Sequence, residues 1–252
     1  LADLDEVMLT MTALAELALR RAQACVTAAL TEQYGRPVGA DSKTPQELLV
    51  IGMGKLGGGE LNVSSDIDLI FAYAEDGETD GARSLSNHEF FTRLGRRIIA
   101  LISELTGDGY VFRVDMRLRP YGDSGPLAMS FAALEEYFFS QGREWERYAW
   151  IKARVVSPIA APLPNPLPPA GEGTNESLRE SSINELMQIA RPFVFRKYLD
   201  YGAFESMRKL HVQIRQEGQR RDRLNNVKRG PGGMREIEFI AQVFQLIRGG
   251  RD

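Results

Sequence analysis

The chain has 252 residues, 43% of them hydrophobic and 26% charged, with a formal net charge of −3. That length can bury a sizeable core in one or two domains, and the composition is that of an ordinary globular protein. No apolar run approaches the roughly 20 residues that span a bilayer. The acidic start, LADLDEVML, carries neither an initiator Met nor a signal-peptide pattern. A single Cys25 excludes an intramolecular disulfide. The expectation is an excerpt of a longer cytoplasmic protein with no membrane partner. With only two His to activate it, Cys25 reads as a small core residue rather than a nucleophile.

In chain order, residues 2–34 read as one long helix, with Leu4, Val7, Met8, Met11, Leu14 and Leu17 at helical spacing. Gly35-Arg36-Pro37 stops it. A polar stretch over 39–46 leads into a short buried strand at 48–51, then a glycine loop, then a strand over 66–73. Ser86 and Glu89 have the spacing of a capping box, and Phe91, Leu94, Ile98, Leu101 and Leu105 continue it as an amphipathic helix broken by Gly107 and Gly109. Residues 110–120, YVFRVDMRLRP, alternate cleanly. Phe112, Val114, Met116 and Leu118 share one face of the predicted strand, and Arg113, Asp115, Arg117 and Arg119 the other. Helices are expected over 130–141 and 144–155. Residues 157–182 are rich in Pro, Gly, Ser and Ala and read as a disordered insertion whose deletion leaves folding intact. From 183 onward the pattern is helical, with breaks near Pro192 and Gly218. Gly230-Pro231-Gly232-Gly233 then opens a last helix carrying Ile237, Ile240, Ala241, Phe244 and Ile247.

The chemistry concentrates in GMGKLGGGELNVSSDIDLIFAY, residues 52–73. Asp66 and Asp68 lie at strand spacing, so both carboxylates project to one side. Two carboxylates that close repel unless a cation sits between them. Beside a turn rich in backbone N–H groups, the cation indicated is Mg²⁺ and the ligand a nucleotide phosphate. Gly52-x-Gly54-x-x-Gly57 matches a dinucleotide fingerprint, but the next strand begins only nine residues after Gly57, which leaves no room for the crossover helix that fold needs. Lys55 is followed by Leu56 rather than Ser or Thr, so the Walker pattern fails too. What remains suits nucleotidyl transfer. The turn of Gly54, Lys55, Gly57 and Gly58, with Ser65, can hold phosphate while the carboxylates hold one or two metal ions. Two-metal chemistry calls for a further acidic ligand. Asp115, the one acid on the polar face of the alternating strand, is either part of a salt-bridge ladder on a solvated face or, paired with Asp66 and Asp68, that ligand, with Arg117 and Arg119 near the phosphates.

Residues 191–235 hold twelve Lys and Arg against four Asp and Glu, so the net acidity lies in the rest of the chain. This is either a solvated helical surface or a basic wall facing phosphates or an acidic protein partner. No stacking-aromatic signature points to nucleic acid. Lys228 and Arg229 before the Gly230–Gly233 run are either a second anion site or the surface charges of a helix start. Glu236 and Glu238 cannot share a helix face, and His88 and His211 read as structural or exposed.

Five segments together resemble the bifunctional glutamine synthetase adenylyltransferase/adenylyl-removing family: GMGKLGGGELNVSSDIDLIFAY, DGYVFRVDMRLRPYGDSGPLAMSFAALEEYF, GREWERYAWIKARVV, RPFVFRKY and GPGGMREIEFIAQVFQLIRGGR. They cover most of residues 48–251. The wording resembles the N-terminal, AMP-removing domain. The resemblance implies a DNA-polymerase-β-like nucleotidyltransferase fold, with Asp66, Asp68 and Asp115 as metal ligands and the 54–58 turn with Ser65 as the phosphate-binding turn. It implies phosphorolysis, in which orthophosphate attacks the adenylyl-tyrosine of glutamine synthetase and ADP departs. It also implies the PII signal protein as a regulatory partner. The ATP-dependent transferase half of the family and a non-catalytic nucleotide-sensing module are the alternatives.

The fold expected is therefore α+β: an N-terminal helical segment (1–45), a nucleotidyltransferase domain built on a mixed sheet with flanking helices (46–156), the Pro-rich insertion (157–182), and an all-α helical domain (183–252).

Overall fold

A computed structural model describes residues 3–157, 172–195 and 234–248, together with Glu205, Lys209 and Val212. The long first helix, α1, runs Leu4–Tyr34. The Asp3 carboxylate caps it by accepting from the Glu6 N–H at 2.8 Å, and Gly35 ends it at φ +84° with its N–H on the Thr31 carbonyl. The buried stripe is Ala15, Leu19, Ala22, Val26 and Leu30; of the expected positions Met11 packs against the core, while Leu4, Leu14 and Leu17 are exposed. At about 100° per residue, Leu14 and Leu17 point away from that stripe, and both are exposed. Cys25, one step off Val26, is exposed as well rather than a core residue.

Two three-residue strands escaped the sequence reading: β1, Pro37–Gly39, and an antiparallel partner over Gly77–Thr79. Between them come β2, Leu49–Met53, a one-turn helix α2, Gly54–Gly57, and β3, Ile67–Tyr73, so that Gly77–Thr79 is β4. Strands β2 and β3 pair antiparallel, with Gly52 opposite Leu69 and Met53 opposite Asp68. A dinucleotide unit would need them parallel, so its exclusion by spacing is borne out by topology.

Helix α3 spans Asn87–Ser103 and starts on the Ser86 hydroxyl, which accepts from the Glu89 N–H at 3.2 Å. The Glu89 side chain turns to Arg93 one turn on, so the reciprocal half of the expected capping box gives way to an ion pair. Leu101 and Leu105 are exposed; the helix buries Phe90, Phe91, Leu94, Ile98 and Ile102.

The alternating segment 110–120 forms only a two-residue strand, β5, Val114–Asp115. The Val111 and Phe112 N–H groups both go to the Ile102 carbonyl, the Arg117 N–H is captured by the Asp115 carboxylate, and the Arg119 N–H bonds the Met116 carbonyl. These local bonds take the donors a longer ladder would have needed. The alternation survives as facing: Phe112 is buried, and Val114 and Met116 pack on the core.

Strand β6, Ala128–Ser130, precedes helix α4, Phe131–Ser140, and helix α5, Glu144–Trp150. The helix expected to reach residue 155 stops at Trp150, because Arg154–Ser157 forms strand β7 against β2. Its two consecutive valines suit a buried strand better than a helix. Helix α6, Glu172–Val194, takes up the later part of the stretch read as disordered and runs past Pro192, where a break was expected. Pro192 sits in the last turn, and the Phe195 N–H still reaches the Arg191 carbonyl at 2.8 Å. Helix α7 spans Met234–Arg248, following the glycine run as predicted. The Pro-rich residues 158–171, His211, Lys228, Arg229 and most of the basic stretch lie outside the described residues.

The chain divides into two compact units, Leu1–Tyr137 with Lys152–Met187 and Phe138–Ile151 with Gln188–Asp252. In this division helix α1 lies with the sheet, and Phe138–Ile151 with the C-terminal helices. In the first unit the strand order is β5-β3-β2-β7, and β6 also pairs with β3. One sheet face buries Leu48, Val50, Ile67, Leu69, Phe71 and Tyr73 under helices α1 and α3. Alternation then puts Asp68 on the opposite face, in step with Ile70 and Ala72. In the second unit Phe138 stacks on Phe193 at 4.2 Å and meets Trp150 edge-on, while the buried Arg147 guanidinium donates to the Phe193 carbonyl at 2.7 Å.

Candidate active site

Strand β3 carries the site because both its edges are used near Asp68. On one side β2 places Met53 opposite Asp68 and then turns at once into α2. On the other side β5 runs parallel, setting Ile67 against Val114 and Asp68 against Asp115. The carboxyl of Asp68 is thus enclosed by the glycine turn and by a second acid. It is pushed up to about 6, first by burial, then by repulsion from Asp115 and from Asp66, against a smaller pull from Arg117. Asp115 is held below the usual carboxylate range, chiefly by its hydrogen bonds from Arg117, in spite of partial burial.

Each flanking acid is met by an arginine. Arg113 Nε donates to Asp66 Oδ1 at 2.5 Å, its NH2 donates to the Ser64 carbonyl, and its NH1 to the Tyr110 hydroxyl. Arg117 Nε donates to both oxygens of Asp115 at 3.0 and 2.9 Å. Asp66 and Asp115 each accept from an arginine whereas Asp68 has only a coulombic pull from Arg117, so its charge is the least offset of the three.

The glycine turn lies against this cluster. Gly54 adopts φ +53°, and a Cβ built on it would stand 3.1 Å from Asp68 Oδ2. Gly57 is held against backbone: an added Cβ would be 1.8 Å from the Lys152 carbonyl oxygen and 2.5 Å from that of Gly52. The glycines therefore serve close packing as much as conformational freedom. Gly58 faces the side chains of Glu60 and Lys152, which form an ion pair at 2.8 Å. Lys55 Nζ reaches Ser65 Oγ at 3.4 Å.

Ser65 is set by Asn62, a residue the sequence reading passed over. The Ser65 hydroxyl donates to Asn62 Oδ1 at 2.8 Å and accepts from the Asn62 N–H at 3.2 Å, while the Ser64 N–H also reaches Asn62 Oδ1. The Asn-x-x-Ser spacing of a side-chain-closed turn was the available signal. Arg113 had been noted only as a neighbour of Asp115; its position opposite Asp66 required the parallel register. Arg119 differs from expectation. Its donors go to the carbonyls of Met116, Asp123 and Gly125, and it is only 11% exposed. It braces the loop after β5, and a phosphate would have to displace those bonds.

Asp66, Asp68, Asp115, Gly54, Lys55 and Ser65 are thus gathered around one end of β3. The donors present are hard oxygens, the type Mg²⁺ takes. They do not converge into a ready cage, since no group of three acidic or metal-binding side chains among the described residues is close enough to hold an ion. Asp68 and Asp115 share a register, and Asp66 and Asp115 are each held by an arginine that a cation would have to displace.

A mixed α/β domain with an acidic strand end against a glycine turn is consistent with a nucleotidyltransferase-like unit. A protein-family model described as glutamate-ammonia ligase adenylyltransferase matches residues 1–163, and one described as GlnD PII-uridylyltransferase matches residues 208–252. The chain belongs to the glutamate-ammonia ligase adenylyltransferase family. Relatives named bifunctional glutamine synthetase adenylyltransferase/adenylyl-removing enzyme align over the whole chain. The protein of Chromobacterium violaceum is 64% identical, that of Nitrosomonas europaea 59% and that of Neisseria meningitidis serogroup B 52%. The alignments cover 26%, 25% and 25% of those proteins, so the chain spans about a quarter of the length of the curated relatives it matches. No helix among the described residues is long and apolar enough to cross a membrane.

Proposed function

We propose that the chain is a Mg²⁺-dependent nucleotidyltransferase unit of DNA-polymerase-β-like fold that removes AMP from a tyrosine of glutamine synthetase by phosphorolysis. The observation that carries the reading is the register pair Asp68–Asp115 beside the Gly54 turn, in which the Asp68 carboxyl has no arginine of its own. Family membership supports adenylyl chemistry, and the names of the relatives support glutamine synthetase as the protein substrate.

Asp68 and Asp115, with Asp66 once freed, would hold one or two Mg²⁺ ions. When bound, the metal neutralises charge on the phosphoryl oxygens and on the departing phenolate. The chain's own groups do the rest. The 54–58 turn with Lys55 and Ser65 holds the attacking orthophosphate in line with the adenylyl phosphorus. Its oxygen forms the new P–O bond as the bond to the tyrosine oxygen breaks, leaving ADP and a phenolate that takes a proton from solvent. Arg113 and Arg117, released from their acids, are within reach of the phosphates. Orthophosphate is already ionised at neutral pH, so no general base is required. The PII protein is the regulatory partner we infer.

The test incubates the chain with adenylylated glutamine synthetase, Mg²⁺ and phosphate and measures ADP. Asp66→Asn and Asp68→Asn each abolish its formation; undiminished rates in both variants overturn the metal assignment. Incorporation of AMP from ATP into unmodified synthetase, without ADP formation from the modified one, would instead make this the transferase half.

A further inference from the structure

We propose that Arg154 and Glu16 are positioning residues that hold the phosphate-binding turn in register with Asp68. The inference rests on the reading of the 54–58 turn as phosphate-binding. Arg154 opens β7, opposite Gly52 on β2. Its side chain runs under the one-turn helix α2 and caps that helix's last two carbonyls, of which that of Leu56 also accepts from the Gly59 N–H. Nε donates to the Gly57 carbonyl at 3.0 Å and NH2 to the Leu56 carbonyl at 3.1 Å. The same NH2 pairs with Glu16 Oε1 on α1 at 2.6 Å. A four-residue helix cannot hold itself by its own ladder. Its carbonyl end needs further donors, and beside the backbone N–H groups of Gly59 and Glu60 they come from one planar fork that binds two adjacent carbonyls and one carboxylate.

The geometry explains why an arginine is needed. The ammonium of lysine is a point donor on a flexible stem and cannot reach Leu56, Gly57 and Glu16 in one plane. The fork presses Gly57 down where it already touches the Lys152 carbonyl, and so fixes the opposite end of α2, where Gly54 overlies the Asp68 carboxylate. Glu16 keeps the guanidinium turned toward the carbonyls, and its side chain is only 16% exposed. Helix α1 thereby braces a turn more than thirty residues downstream in sequence. Neither residue touches the reacting atoms; both act through the turn.

The test uses the full chain with Arg154→Lys, Arg154→Ala and Glu16→Gln. Amide hydrogen exchange over residues 54–60 rises about tenfold in both Arg154 variants, while the core of α3 keeps its protection. With orthophosphate as the varied substrate, KM rises about tenfold and kcat changes far less. Added guanidinium ion restores protection and KM to Arg154→Ala but not to Arg154→Lys. Glu16→Gln gives a smaller rise of the same kind. Unchanged exchange at 54–60 in the Arg154 variants overturns the proposal, as does a uniform loss of protection that includes α3 and is not rescued. If the unaltered chain forms no ADP, the phosphorolysis reading fails, and the exchange and rescue measurements still decide the role of Arg154.

Discussion

Asp68 and Asp115 face each other as register partners on parallel strands β3 and β5, one carboxyl pushed up to about 6 and the other held below the usual range by Arg117. The two acids are similar in sequence context but opposite in electrostatic state, and the burial of Asp68 together with an arginine that hydrogen-bonds Asp115 accounts for the difference.

The raised Asp68 carboxyl sets a sign for pH dependence. A folded value of about 6 against an ordinary 3.8 means the fold prefers the protonated form. Without metal, the stabilising contribution is complete below about 3.8 and is lost as pH rises through about 6. Asp68→Asn therefore stabilises the metal-free chain at pH 7 and leaves it little changed at pH 4. Urea midpoints at the two pH values check this; equal shifts at both would contradict it.

Removing Arg113 frees the Asp66 carboxylate. Arg113→Ala tightens Mn²⁺ binding in the absence of nucleotide by about fivefold, the scale of one exposed ion pair. Calorimetric titration of Mn²⁺ reads it out. Weaker binding in this variant would mean that Arg113 orients Asp66 for the metal rather than competing with it.

Two glycines of one loop separate packing from conformation. Gly57→Ala drives a methyl into the Lys152 carbonyl and costs about 3 kcal/mol or more. Gly59→Ala meets nothing within 4 Å but must adopt φ +71°, at a cost of about 1 kcal/mol. Denaturant melts of the two variants should rank them in that order by at least twofold.

In the core, Leu94 of α3 is 1% exposed among the aromatic rings of the helix–sheet interface. Leu94→Ala lowers stability by about 2–5 kcal/mol through the cavity it leaves. Thermal unfolding measures this, and a shift no larger than that of Leu101→Ala, on the exposed face of the same helix, would show the packing to be looser than described.

The placement of the acids was more legible in the sequence than the topology. Asp66 and Asp68 beside a glycine turn could be read because carboxylates at strand spacing and a loop too short for a crossover are local facts. Asp115 was read as their partner although its strand is only two residues long, because alternation records facing even where no ladder forms. The strands β1, β4, β6 and β7 were missed, since three or four residues carry no measurable period and owe their state to a neighbour far along the chain. The stripe of α1 was misassigned for a similar reason: the helix has apolar residues on several sides, and only the packing of α3 and the sheet selects Ala15, Leu19 and Ala22. Asn62, Arg113 and Arg154 act through bonds fixed by register or by a turn, so their residue types alone did not mark them.

The way β3 is shared between two parallel neighbours has a consequence for the arginines. Its start pairs with Val114–Asp115 and its end with Ala128–Ser130, so the segment from Met116 to Leu127 leaves and returns to the same strand within a few residues. The excursion is held at both ends by pairing to the same strand, and inside it by the Arg119 bonds to the Met116, Asp123 and Gly125 carbonyls. Arg117 and Arg119 thus sit on an excursion tied at both ends to one strand, so what approaches Asp68 is set by a segment that β3 itself anchors.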